Sequence, residues 1–215
     1  MIRAYDEIYL DDTMNNLGDM FDYAVNDCGF NSDDFFTYFI ISGVAKAIER
    51  GNPKYVAGLS GPELAAIVIY RTFHYRPDIP SAENIDKSPE YWAGWVLAYY
   101  QWYKNRRFSD IQKYGLTMSN LLSLYPTLHE ADISKFVSVA DSLIKKNTAT
   151  RASNLQRIRK ANHLTQKKLS EVSGVALRMI QLYEQRKKDI DKAQASTLFR
   201  LAHVLNCSTN DLIEN

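Results

Sequence analysis

A chain of 215 residues with 46% apolar content can fill an ordinary buried core as one large or two small globular domains, and it holds no run near the roughly 18–20 apolar residues that span a bilayer. Its two cysteines, Cys28 and Cys207, are too few for a disulfide framework or a cysteine-rich zinc site, so two buried thiols in a cytoplasmic protein without membrane partners are expected. The formal charge of +1 hides two opposite parts: residues 1–147 carry 14 Lys+Arg against 19 Asp+Glu, a balance of −5, and residues 148–215 carry 12 against 6, a balance of +6, so that the tail alone is suited to a polyanion.

Apolar residues recur at spacings of three and four almost throughout, which predicts an all-α protein. The first stripe is Met14, Leu17, Phe21, Ala24 and Cys28. Ser32 is read as the cap of a second helix that turns Phe35, Phe39, Ile40, Val44 and Ile48 inward and ends at Gly51. Ser60 and Glu63 fit a capping box for a third helix through Leu64, Ile67, Val68 and Arg71.

Pro77, Pro80 and Pro89 mark residues 74–90 as a long connection, with Pro89 after Ser88 also suited to a first helical turn. The following helix, YWAGWVLAYYQWY, contains all three tryptophans. Ser109 and Gln112 are read as capping a short helix, and Pro126 as ending another that holds Leu121, Leu122 and Leu124. A last stripe runs Ile133, Phe136, Val137, Ala140, Leu143 and Ile144, with Lys145 and Lys146 in its final turn, where positive charge favours the helix dipole. The segment NTAT after it is the expected boundary, giving domains 1–147 and 148–215.

From residue 155 the chain reads LQRIRKANHLTQKKLSEVSGVALRMIQLYEQRKKDIDKAQASTLFRLAHVLNCSTNDLIE. This third of the chain resembles the five-helix, lambda-repressor-like DNA-binding domain of the Cro/phage-repressor family of the xenobiotic-response-element type. The resemblance implies a first helix with Leu155 and Ile158, a second capped by Thr165 with Leu169 and Val172 inward, and Gly174 in the turn where positive φ is needed. It implies that Val175, Ile180 and Tyr183 fasten a recognition helix over 176–184. A fourth helix holds Ala195, Leu198, Leu201, Ala202 and Leu205 behind an Asp191 cap, and Ser208 opens a fifth with Leu212 and Ile213.

Two short helices locked at a fixed angle let one cross the DNA backbone while the next lies in the major groove. By resemblance, Ala176, Leu177, Arg178, Gln181 and Leu182 form the outer face of that second helix. Arg178 suits the O6 and N7 edge of guanine, Gln181 suits adenine, and Ala176 and Leu177 suit thymine methyls. Gln166 stands where similar proteins bond a phosphate, beside Thr165 and Lys167, and Arg186, Lys187 and Lys188 are expected along the backbone. Double-stranded DNA is the implied partner, bound by a homodimer. The bland alternatives are a domain of this shape used for protein contact and a merely solvated basic face.

Residues 1–147 offer no enzyme signature. His74, His129, His163 and His203 are scattered, and no glycine-rich phosphate loop or Gly-x-Ser-x-Gly turn is present, so no catalytic residue, metal or cofactor is expected. Trp92, Trp95, Tyr99, Trp102 and Tyr103 fall near one stripe, which reads as core or, alternatively, as a ligand pocket or docking groove. The first 34 residues hold nine acidic residues against Arg3 alone, either a solvated surface or one that meets a basic partner or the basic tail. The segments LDDTMNNLGDMFDYAVNDCG and GNPKYVAGLSG resemble the front half of bacterial regulators with the same tail, which implies no known chemistry. The expected function is a DNA-binding transcriptional regulator, a repressor, with an N-terminal domain that senses a ligand or binds a protein; the alternative is an antitoxin that binds its toxin through residues 1–147.

Overall fold

The computed structural model describes residues 3–78, 87–150 and 152–214, and every regular element among them is helical. Pro80 of the proline-rich connection lies outside the described residues. The chain divides into two compact units, 1–145 and 146–215. Among the described residues, no helix is long and apolar enough to cross a membrane.

The first unit is built on α1 (Leu10–Asp22), which runs on into a single π turn (Tyr23–Asp27) and packs chiefly along α6 (Pro89–Lys104). The two helices come so close that a Cβ on Gly94 would lie 2.4 Å from the carbonyl oxygen of Leu17. Around this pair stand α2 (Ser32–Ile41), α3 (Val44–Glu49), α4 (Pro53–Val56), α5 (Gly61–Phe73), α7 (Phe108–Lys113), α8 (Met118–Leu128) and α9 (Ile133–Thr150). Phe21 sits at the centre and meets Phe35, Phe36 and Phe39 edge-on, with centroids 5.6, 5.9 and 6.0 Å away. Such edge contacts add to the large area these rings bury.

The aromatic helix is mainly core. Trp92 is buried edge-on to Tyr125 and Phe136, and Trp102 is buried with its Nε1 donating to the carbonyl of Tyr5 at 2.9 Å. Trp95, Tyr99 and Tyr103 are half-buried against the same core; Tyr99 stacks on Tyr103, and the Arg3 guanidinium lies 3.9 Å from the Tyr103 ring centroid. Tyr100, also buried, donates to Asp141 at 2.8 Å, and Lys104 pairs with the other oxygen of Asp141 at 2.6 Å, tying α6 to α9.

Many early acids have structural partners. Asp6 accepts from the Ile8 N–H, Asp19 pairs with Lys87 at 3.1 Å, Asp22 accepts from Ser88, and Asp33 accepts from the hydroxyl and backbone N–H of Ser119. Asp11, Asp12, Asp33 and Asp34 lie in first helical turns, where the dipole favours them.

Several boundaries differ from the sequence reading. The helix expected from Ser32 to Gly51 is two, because Gly43 sits at φ 79° between α2 and α3, and the cap is Asn31, which accepts from the N–H groups of Asp33 and Asp34. Ser109 and Gln112 lie inside α7, whose N-cap position is Arg107 with no side-chain cap. Pro126 does not end α8; its ring falls in the last turn, where one missing N–H breaks little of the ladder. The NTAT segment stays helical to Thr150, since it contains no glycine or proline, so Lys145 and Lys146 are not in a last turn. The Ser60 and Glu63 capping box and the Ser88 cap with Pro89 at the first turn form as expected. Cys28 and Cys207 are free thiols, but half-buried rather than buried.

The second unit comprises α10 (Asn154–Ala161), α11 (Gln166–Ser173), α12 (Leu177–Glu184), a 3-10 turn (Ile190–Lys192), α13 (Ala195–Leu205) and α14 (Thr209–Leu212). Each is too short to persist alone, and their shared core of Leu155, Leu169, Ile180, Tyr183, Leu201 and Leu212 holds them together.

Candidate nucleic-acid interface

Local chemistry sets each boundary of the α11–α12 pair. Thr165 caps α11 by accepting from the Lys168 N–H at 3.0 Å, and Gly174 ends it in the left-handed region at φ 66°. Two serine hydroxyls then fix the turn: Ser170 donates to the Val175 carbonyl at 2.7 Å, and Ser173 accepts from the Val175 N–H at 3.2 Å. The buried Val175 side chain anchors the bend.

Ala176 occupies the N-cap position of α12 and provides no side-chain cap. Ile180, Tyr183 and Glu184 turn inward, which leaves Ala176 and Arg178 exposed and Leu177, Gln181 and Leu182 half-buried on the other side. By the helical period, Arg178, Gln181 and Leu182 lie opposite Ile180, Tyr183 and Glu184, while Ala176 at the N-cap position and Leu177 in the first turn flank that side. Leu177 and Leu182, half-buried, split their surface between packing and solvent.

A buried ion pair locks α12 to its neighbours. Arg159 on α10 donates to both Glu184 oxygens, Nε to Oε1 at 2.6 Å and Nη2 to Oε2 at 2.9 Å, while its Nη1 donates to the Leu164 carbonyl at 2.6 Å. Hydrogen bonding to Glu184 raises the Arg159 pKa, so the guanidinium is held firmly in its charged form. Gln166 Nε2 also donates to Glu184, at 2.7 Å, which orients the side chain expected at a phosphate and leaves its second amide hydrogen for a further acceptor. Sequence reasoning missed this pair. The available signal was that Arg159 and Glu184 each stand four residues after an inward apolar residue, Leu155 and Ile180, and so share its helix face, with opposite charges.

Of the remaining cations, Lys167, Lys187 and Lys188 are exposed, and Lys188 reaches back to within 3.9 Å of the Met179 sulfur on α12. Arg186 is placed differently. Its backbone is left-handed at φ 53° and its Nη2 donates to Glu214 Oε2 at 2.8 Å, an ion pair that ties the exit of α12 to the end of the unit.

Residues 155–212 match the family model described as helix-turn-helix. The segment is a helix-turn-helix domain. No curated protein and no solved structure matches the chain. Helix-turn-helix domains of this type are domains of DNA-binding regulators.

Three expectations inside the helix-turn-helix domain are corrected. Val172 is 55% exposed, because the inward pair of α11 is Leu169 with Ser173, four residues apart, rather than Leu169 with Val172. Asp191 does not cap α13, whose N-cap position is Gln194 without a side-chain bond; Asp189 caps the 3-10 turn, and Asp191 accepts from the Glu214 N–H at 2.8 Å. Ile213, expected within the fifth helix, follows α14 in extended backbone at φ −69° and ψ 142°. The Thr165 cap, the Gly174 bend, the inward Val175, Ile180 and Tyr183, and the Ser208 start of α14, where Asp211 completes a capping box, form as read.

Proposed function

We propose that the protein is a sequence-specific DNA-binding transcriptional regulator that acts as a repressor, binding double-stranded DNA as a homodimer. The observation that carries this reading is the outward face of α12, presented by a capped helix, a left-handed glycine bend and a buried ion pair. In this reading Arg178 and Gln181 contact base edges, with Ala176 and Leu177 beside them. Thr165 and Gln166 at the start of α11, together with Lys167, Lys187 and Lys188, meet phosphates and set the register. Arg186 contributes chiefly by holding Glu214. The net charge of +6 in residues 148–215 supports a polyanionic partner.

The first unit is the sensor or partner-binding part of this regulator. Its exposed Ile41, Tyr70, Phe73 and Tyr75 favour, as a second reading, a protein partner such as a toxin whose promoter the helix-turn-helix domain represses. Fragments of the source genome selected by the purified full chain test the main reading: enrichment of a short near-palindromic sequence supports it, and no enrichment over input at physiological salt refutes it. Copurification of the first unit's neighbouring gene product with the full chain would favour the second.

A further inference from the structure

The first unit is acidic as a whole, yet one cavity of about 540 Å³ on its surface is walled by cations. Lys46 lies on α3 and Arg50 directly after it, while Arg106 and Arg107 lie in the link between α6 and α7. Their separation in the chain means that the fold, not local composition, assembles them. Asn105 makes the approach, because its left-handed backbone at φ 49° ends α6 and turns the following arginines into the wall.

One carboxylate shares the wall with these four cations. Glu49 accepts from the Phe108 N–H at 2.7 Å, which fixes the start of α7; burial raises its pKa and the nearby Asp110 adds to this, while the Phe108 hydrogen bond, Arg107 and Lys46 act the other way. The lining thus carries formal charge +3 with Glu49 ionised, or +2 when the neighbouring Asp110 is counted, in a unit whose overall balance is negative. Lys46, Arg50 and Arg107 are exposed, so their charged ends are open to an incoming ligand. Ile40 and the buried Ala45 add an apolar contact beside the charges.

We propose that this cavity binds a small anion bearing several phosphates, of the size of a nucleoside di- or triphosphate. Its volume falls in the range of small-molecule sites. Several arginines around one concavity suit phosphate oxygens, which the planar guanidinium grips bidentately. A concave wall favours a compact ligand over a duplex, whose phosphates follow an extended track. The binding itself stands apart from the DNA-binding reading, whereas a role for the ligand as effector rests on that reading.

Calorimetric titration of the full chain with inorganic tripolyphosphate, and separately with ATP, tests the site. Saturable one-to-one binding that weakens with added salt is expected, with a loss of roughly tenfold or more in Arg50→Glu/Arg107→Glu. Equal affinity for the two probes assigns the site to phosphates alone, and tighter ATP binding assigns part of it to the nucleoside. Lys135→Glu/Lys145→Glu, at exposed positions of α9 outside the cavity lining, should bind as the unaltered chain does. Should the double arginine variant misfold by circular dichroism, the exposed Lys46→Ala change in the same titration must still weaken binding severalfold. The proposal is overturned if neither probe binds at millimolar concentration, if the Lys135 and Lys145 changes weaken binding as much as the cavity changes do, or if folded cavity variants retain full affinity.

Discussion

Arg159 and Glu184 carry the largest single-residue stake in the second unit. Both are buried, with side chains 9% and 1% exposed, and each satisfies the other through two hydrogen bonds. Removing one partner strands a charge in a desolvated site, so Glu184→Gln and Arg159→Met are each expected to destabilise the domain by about 3–5 kcal/mol. Urea unfolding of the full chain, followed by circular dichroism, reads this as an earlier transition for that domain; unchanged transitions in both variants would show that the pair is dispensable. Arg178 and Gln181 were placed outward by the family resemblance, and in the structure they lie opposite the inward Ile180 and Tyr183. The ion pair was not anticipated, because sequence periodicity sorts apolar residues from polar ones and passes over a charge that is buried with its complement.

At the level of elements, the α11–α12 unit depends on a bend of one residue. Gly174 is left-handed, and a Cβ there would meet only Arg200 Nη1 at 3.7 Å, so the penalty for a side chain is torsional rather than a clash. Gly174→Ala is therefore expected to cost about 1–2 kcal/mol, with Gly174→Asn recovering part of it, as thermal unfolding would register. An alanine variant as stable as the original would remove the bend from the account. Capping residues and glycine bends such as Thr165, Gly174, Ser60 and Ser88 were read correctly because their chemistry is local. Asp191 and Val172 were not, because a 3-10 turn intervenes before α13 and because the facing of an eight-residue helix is set by what it packs on. The split at Gly43 is local too, but a continuous apolar stripe runs through it and masks the left-handed glycine that makes the break.

For the whole molecule, burial of tyrosines in the first unit sets an alkaline limit. Burial raises Tyr5 and Tyr23 from 10.0 to about 12 and raises Tyr100 as well, with Asp141 adding to the effect. The folded chain keeps protons that the unfolded chain releases near pH 10, so their contribution to stability is complete below that pH and is lost as the pH climbs towards 12. Helix loss in circular dichroism should coincide with the late rise of tyrosinate absorbance; full titration near pH 10 with helicity intact would contradict the burial. The all-helical class and the opposite charges of the two parts were visible in composition and periodicity. The cationic cavity was not, because residues 46–50 and 106–107 meet only in three dimensions.

The central claim is that the outward side of α12 reads a duplex. Fluorescence anisotropy at physiological salt, with a duplex enriched by genomic selection and a scrambled one, tests it in the unaltered chain and in Arg178→Ala and Lys188→Ala. A preference of at least about a thousandfold for the enriched duplex is expected, falling by about 1–3 kcal/mol in Arg178→Ala on that duplex alone, with Lys188→Ala weakening both duplexes alike. Equal losses on both duplexes for Arg178→Ala, or no measurable preference in the unaltered chain, would contradict it.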